Sequence, residues 1–317
     1  MNQESILIVF KDKKKVTKNQ DFWIDKFKKK YIVHHLFLYD FLHLTNKKIA
    51  ELVNSKIKNY NINIILFEGD HISLIDYNFI KNINDDVKKG FFLGDDSVWH
   101  QVNLITASAC DFVLTDPVSA YKFEELGIRS IFSPVEGNNN IFKDYKNKKE
   151  IDVLFFGRDK TDRNDYIRIL EDNKIKYLSV NPYMEISNTI EKLAVLINKS
   201  KIVINISKSL NGNRFFNPSS KFKFGYYFKG RPLMVGLCKT LCISEYSISN
   251  EILYSNKELP MFKNKDEFIK LVKLYLSNSK KLEDATKLFY ESSLKYSDDY
   301  YIEILKIFFD KTNKTII

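Results

Sequence analysis

Glycine and proline are scarce here, at 10 and 6 of 317 residues, which leaves too few turn-forming positions for a β-sandwich of many short strands. Cysteine is scarcer still. Cys110, Cys238 and Cys242 have no paired C-x-x-C spacing and lie in apolar runs. They indicate neither a disulfide framework nor a cysteine zinc site, and buried reduced thiols in a cytoplasmic protein are expected. No apolar run approaches the roughly 20 residues that span a bilayer. The opening MNQESILIVFKDKKK has an apolar stretch, Ile6–Phe10, that is too short for a signal sequence and is followed, not preceded, by its lysines. Disorder is excluded by 44% apolar and 28% charged residues, both near the globular average. At roughly 100–200 residues per domain, the length indicates two domains.

What is present is basic. The net charge of +10 suggests an acidic partner: phosphate groups, an anionic membrane surface or nucleic acid. Short clusters, Lys13–Lys15 and Lys28–Lys30, read as a solvated surface. A Lys-rich first domain touching the inner face of a membrane is a further expectation resting on charge alone, and failure to sediment with anionic vesicles at low salt would remove it. Nucleic acid is disfavoured. KFKFGYYFKGR interleaves basic and aromatic residues as a single-strand groove would, but no helix-turn-helix, zinc or RNP-type pattern accompanies it.

Short β-rich apolar runs alternate with amphipathic stretches, the signature of parallel sheets with crossover helices. In the first half strands are expected at Ile6–Phe10, Tyr31–His34, Ile62–Leu66, Gly90–Leu93, Phe112–Leu114 and Ser130–Phe132. Helices are expected at Lys47–Lys58 and Ser119–Leu126, the latter stopped by Gly127. The polar, strand-free stretch EGNNNIFKDYKNKKE then separates an N-terminal domain, 1–148, from a C-terminal domain, 149–317, with a helical tail. Strands restart at Ile151–Phe156, Ile175–Val180, Ile202–Ile206 and Thr240–Ile243.

Ligands of parallel α/β sheets gather beyond the carboxyl ends of the strands. That rule selects Lys11, Asp40, Glu68 to His71, Gly94 to Ser97 and Thr115-Asp116 in the first half. In the second half it selects Gly157-Arg158-Asp159 with Arg163, Asn181-Pro182, Ser207-Lys208 and Ser244-Glu245-Tyr246.

The segment KGRPLMVGLCKTLCISEY, Lys229 to Tyr246, with Asn256-Lys257-Glu258 after it, resembles the nucleotide-sugar half of CgeB-like (spore maturation protein type) glycosyltransferases. The usual pattern there is lysine, glycine, arginine, Phe-Glu, a small-residue helix end, an apolar strand and a terminal Glu-Tyr. IDVLFFGRDKTDR and SKIVINISKS look like other strands of that domain, and GFFLGDDSVWH with CDFVLTDPVSAYKFEELGI like the end of the first. The resemblance runs from about Gly90 onward and is weak before it. It implies an α/β protein with two Rossmann-like domains facing across a cleft (GT-B type). The implied activity moves a sugar from a nucleotide-sugar donor to a glycan or lipid-linked acceptor, as in surface polysaccharide synthesis.

Two positions depart from the pattern. Met234 stands where the family usually has glutamate, and Lys239 where it usually has glycine. The resemblance gives that glutamate the ribose hydroxyls, and a thioether cannot accept two hydrogen bonds from a diol. Glu245 or Glu258 in its place, an altered donor, or a binding protein without turnover are the alternatives.

Within that frame Arg231, Arg158 and Arg163 are candidates for the leaving diphosphate, since a guanidinium takes phosphate oxygens in bidentate fashion; Asp159 and Asp162 offer local ion pairs instead. Lys221, alternating with aromatics in SSKFKFGYY, is a further phosphate candidate, and Glu245, Tyr246 and Glu258 would line the nucleotide or sugar pocket. Asp95 or Asp96, with His100 nearby, could deprotonate the acceptor hydroxyl, or one aspartate could cap the helix that follows. Asp70-His71 reads as a loop cap. No metal or other cofactor is expected: adjacent aspartates are not a D-x-D spacing, and cationic side chains with helix N-termini can hold a diphosphate. His34, His35 and His43 read as strand-to-helix packing.

Overall fold

The computed structural model describes residues 4–11, 19–69, 75–93, 96–133, 138–157, 161–180, 190–206, 208–209, 225–226, 230–297, 300, 303 and 306. They fall into two compact units. The first holds the described residues up to Ser133 together with Glu303 and Lys306; the second holds those from Asn138 to Tyr300.

In the first unit the chain runs β1 (Ser5–Phe10), α1 (Asn19–Lys28), β2 (Ile32–Phe37), a 3₁₀ turn at Leu38–Phe41, α2 (Asn46–Tyr60), β3 (Ile64–Gly69), α3 (Tyr77–Lys81) and β4 (Lys88–Leu93). It continues through α4 (Asp96–Ala107), β5 (Phe112–Thr115), α5 (Pro117–Glu125) and β6 (Ser130–Phe132). The sheet is parallel, in the order β2-β1-β3-β4-β5-β6. All six residues of β1 are buried, as a strand covered on both faces requires. At the edge, β2 leaves Ile32 46% exposed and carries the histidines: His34 stacks on Tyr60 at 4.2 Å, and burial and Lys56 pull its pKa below the ordinary value. Local signals set the helix ends. Thr45 accepts the Lys48 N–H at the start of α2, and Asp116 accepts the Val118 and Ser119 N–H groups at the start of α5, with Pro117 in its first turn. Asp116 is thus a cap, and Gly127, at φ 75°, follows the end of α5.

The second unit runs β7 (Ile151–Phe156), α6 (Thr161–Asp172), β8 (Tyr177–Val180), α7 (Ile190–Asn198), β9 (Ser200–Asn205), β10 (Lys208–Ser209) and β11 (Gly225–Tyr226). It continues through α8 (Arg231–Leu237), β12 (Leu241–Glu245), α9 (Ile248–Leu253), β13 (Met261–Phe262), α10 (Lys265–Ser277) and α11 (Ser279–Leu294). Its main sheet is parallel, in the order β13-β12-β9-β7-β8. Alternation along β7 feeds two cores. Val153 and Phe155 pack with α6 and α10, while Leu154 and Phe156 pack with α7, α8 and α11; each buried phenylalanine contributes about 1.5–3 kcal/mol of transfer free energy.

Gly225–Tyr226 pairs antiparallel with Lys208–Ser209, and the helix that carries Arg231 starts at that residue. Pro232 sits in its first turn, where the missing N–H costs nothing. The residues ahead of β7 are strand-free and anchored to the second unit. Phe142 is buried, and Asn198 accepts the Tyr145 N–H at 2.8 Å while donating to the Lys143 and Ala194 carbonyls at 2.9 Å. Among the described residues no helix is long and apolar enough to cross a membrane.

Candidate functional site

In a parallel sheet whose crossovers leave the first strand in opposite directions, a crevice opens where the strand order reverses. In the second unit this point lies between β7 and β9, since β8 is added on one side of β7 and β9 on the other. Two arginines meet there from opposite faces of the sheet. Arg163 comes from α6 and is buried, at 5% exposure; Arg231 comes from the first turn of α8. Their carbons Cζ stand 5.7 and 6.0 Å from the Phe155 ring centroid, and that of Arg231 also lies 5.7 Å from Phe156. Cations over aromatic faces gain electrostatic attraction.

Gly157, the residue after β7, makes the convergence possible. It adopts φ 151°, and a Cβ there would lie 2.9 Å from Nη2 of Arg231 and 3.3 Å from Nη1 of Arg163. Any side chain would displace both guanidinium groups. Two cationic forks brought together at a strand end suit a ligand with several anionic oxygens.

Behind Arg231 is a buried polar chain. Its Nη1 donates to Oδ1 of Asn205 at 3.3 Å and to the Ile206 carbonyl at 3.5 Å. Asn205 Nδ2 donates to Ser244 Oγ at 2.8 Å, Asn250 Nδ2 donates to the same oxygen at 2.9 Å, and the Ser244 hydroxyl donates to the Glu245 carbonyl at 2.9 Å. Asn205, Ser244 and Asn250 are all fully buried.

Glu245 ends β12 and is buried. The Tyr246 hydroxyl donates to Glu251 at 2.6 Å, which holds its pKa above the ordinary value, and Lys263 lies 4.8 Å over its ring. Glu258 is tied to the last long helix: it accepts from the Ser292 hydroxyl and the Ser255 N–H, and lies 3.6 Å from Lys295. Burial works against its charged form, but these hydrogen bonds and the Lys295 ammonium outweigh it and keep the carboxyl below its usual pKa. Met234 packs against the core that contains α7, α8 and α11.

In the first unit the equivalent reversal lies between β1 and β3, where the Lys11 N–H donates to Glu68 Oε2 at 3.2 Å. His100, on α4, rests 4.8 Å from the Phe123 ring, and Asp96 opens that helix. Asp70, His71, Asp95, Arg158 and Lys221 lie outside the described residues. The structure therefore gathers Arg163 and Arg231 with Gly157 in one place and sets Glu258 to a structural task. Burial raises the thiol pKa values of Cys110, Cys238 and Cys242, keeping them protonated.

A strand expected through Ile206, with Ser207-Lys208 as the residues beyond it, passes over Asn205. The observed strand ends at Asn205. A lone amide inside Ile-Val-Ile-Asn-Ile was the available signal, since a buried polar group in a core strand needs a partner.

No family model matches the chain, and no curated protein sequence does. Solved structures do. Anabaena HepE in complex with UDP-glucose superposes with a TM-score of 0.65 over 97% of this chain and 100% of that one, at 9% identity. The fold is of the GT-B type. Sucrose-phosphate synthase from Thermosynechococcus elongatus gives 0.61 over 98% and 100% of the two chains, at 9% identity. An α-glucosyltransferase in complex with UDP-glucose and DNA containing an abasic site gives 0.59 over 97% and 99%, at 12% identity.

Proposed function

We propose that the chain is a glycosyltransferase of the CgeB-like kind. Its second unit takes a nucleotide-sugar donor, and Arg163 and Arg231 hold the diphosphate. The observation that carries this reading is the meeting of the two guanidinium groups over Gly157 at the β7/β9 crevice. Support comes from neighbours of the same fold, whose structures hold UDP-glucose.

In the transfer step the bond between the anomeric carbon and the diphosphate oxygen breaks, and negative charge grows on the departing phosphate. Preorganised guanidinium groups stabilise that charge without a reorganisation cost. No metal ion is assigned to the site in this proposal. Glu245 and Tyr246, at the end of β12, fall beside the donor. The acceptor, a glycan or lipid-linked saccharide, falls to the first unit, with Asp95, Asp96 or His100 taking the proton from its attacking hydroxyl.

The second reading is a donor-binding protein without turnover, and Met234 favours it. This residue is partly buried and packs against the core, at the position where the resemblance would have a ribose-binding carboxylate. Titration calorimetry with UDP, GDP, CDP and dTDP and with their glucose or other sugar conjugates tests both readings. Binding of one nucleotide that weakens at least tenfold in Arg231→Ala is expected. Hydrolysis or transfer of the bound sugar then separates enzyme from binder, and no binding by folded protein overturns both.

A further inference from the structure

We infer that Asn205 is the positioning residue that sets the direction of the Arg231 fork, and that the β12–α9 segment controls the anion site through it. This rests on Arg231 contacting the anionic ligand, as proposed above.

The hydrogen-bond inventory decides which way the amide faces. A serine hydroxyl has one donor and two acceptor sites. The Ser244 donor is used on the Glu245 carbonyl, so toward Asn205 and Asn250 it can only accept. Asn205 must therefore turn its NH₂ to Ser244, which leaves its Oδ1 facing Nη1 of Arg231. With the Ile206 carbonyl as second acceptor at 3.5 Å, Nη1 is held on the β9 side while Nη2 is the atom nearest the Gly157 Cβ position. Four elements take part: α8 supplies the arginine, β9 the asparagine, β12 the serine and α9 Asn250. The Asn205 and Ile206 carbonyl oxygens orient the guanidinium from this side. A carboxylate at position 205 would compete with an anionic ligand for the same cation.

Inorganic pyrophosphate and UDP are the two probes, titrated into the full chain by calorimetry. The variants are Asn205→Leu, the isosteric Asn205→Asp, Arg231→Ala and the double variant Asn205→Leu/Arg231→Ala, each shown to be folded by its near-ultraviolet dichroism and melting profile. Removing a hydrogen bond to a charged group costs roughly tenfold or more in affinity. Asn205→Leu is thus expected to weaken pyrophosphate about tenfold, and Asn205→Asp by at least as much although it keeps the shape of the site. The double variant should bind no more weakly than Arg231→Ala alone, because the asparagine acts only through the arginine; a loss caused by general loosening would add to it.

Arg231→Ala weakening both probes while the Asn205 variants bind like wild type overturns this inference and leaves the donor reading standing. An additive double variant also overturns it. Pyrophosphate binding that follows this pattern without any binding of nucleoside diphosphates sustains the positioning role and overturns the donor reading. No binding of either probe overturns both.

Discussion

Lys149 shows how one side chain carries a pH dependence. Its ammonium donates to Thr240 Oγ1 at 2.6 Å and to the Lys239 carbonyl at 3.2 Å, but burial lowers its pKa to about 8. An unfolded lysine titrates near 10.4. Between these values the unfolded chain holds the proton and the folded chain has lost it, so stability rises with pH across that window and is flat below it. Urea titrations of wild type against Lys149→Met should show wild type gaining relative stability from about pH 8 to 10. Lys239 is the second case. It stands where the CgeB-like pattern has glycine and adopts φ 51°, with the Thr240 N–H donating to the Val235 carbonyl and its own N–H to that of Gly236. This is a Schellman end to α8 that favours glycine. Lys239→Gly should therefore stabilise the protein by about 0.5–1 kcal/mol in chemical denaturation, since its half-exposed ion pair with Asp144 at 3.7 Å is worth little.

Among the elements, α8 connects packing to the candidate site, because its first residue is Arg231 and its far end lies against α11. A Cβ on Gly236 would come 1.9 Å from Ser293 Oγ and 2.6 Å from Ser293 Cβ. Gly236→Ala is expected to cost about 1–3 kcal/mol as the helices separate, read as a fall in melting temperature of about 2–4 °C per kcal/mol for a unit of this size. Pyrophosphate affinity should fall with it if the separation moves Arg231. Much at this scale was legible in the sequence. The run at Ile151–Phe156 is the observed β7, and Gly157 and Arg163 were selected because they follow it. The short strand Gly225–Tyr226 is not legible there, because the Lys-Phe-Lys-Phe alternation of a strand runs directly into the periodicity of the helix that starts at Arg231. Only pairing with Lys208–Ser209 separates them.

At the scale of the whole chain, two units with separate cores predict separable responses. Phe67, fully buried in the first unit's core, should cost about 3–5 kcal/mol when changed to alanine. Scanning calorimetry should assign that loss to one transition and the Gly236→Ala loss to another. The nucleotide that the proposed donor site binds, at a hundred times its dissociation constant, should add about 2.7 kcal/mol, and only to the transition that Gly236→Ala lowers. Charge at this scale also bears on the membrane expectation: residues 1–133 carry 18 Lys and Arg against 17 Asp and Glu, and residues 134–317 carry 32 against 23. The basic excess belongs to the second part of the chain and not to the Lys-clustered first. The sequence by itself determined the α/β alternation, the continuous apolar strands and the arginines beyond them, because hydrophobic periodicity and strand-end position are local properties of a chain. Only the tertiary structure decided that Arg163 and Arg231, 68 positions apart and on opposite faces of a sheet, meet over Gly157. It also decided that Asn205 turns its carbonyl toward one of them, because strand order and the donors and acceptors across four elements are fixed by packing between segments distant in sequence.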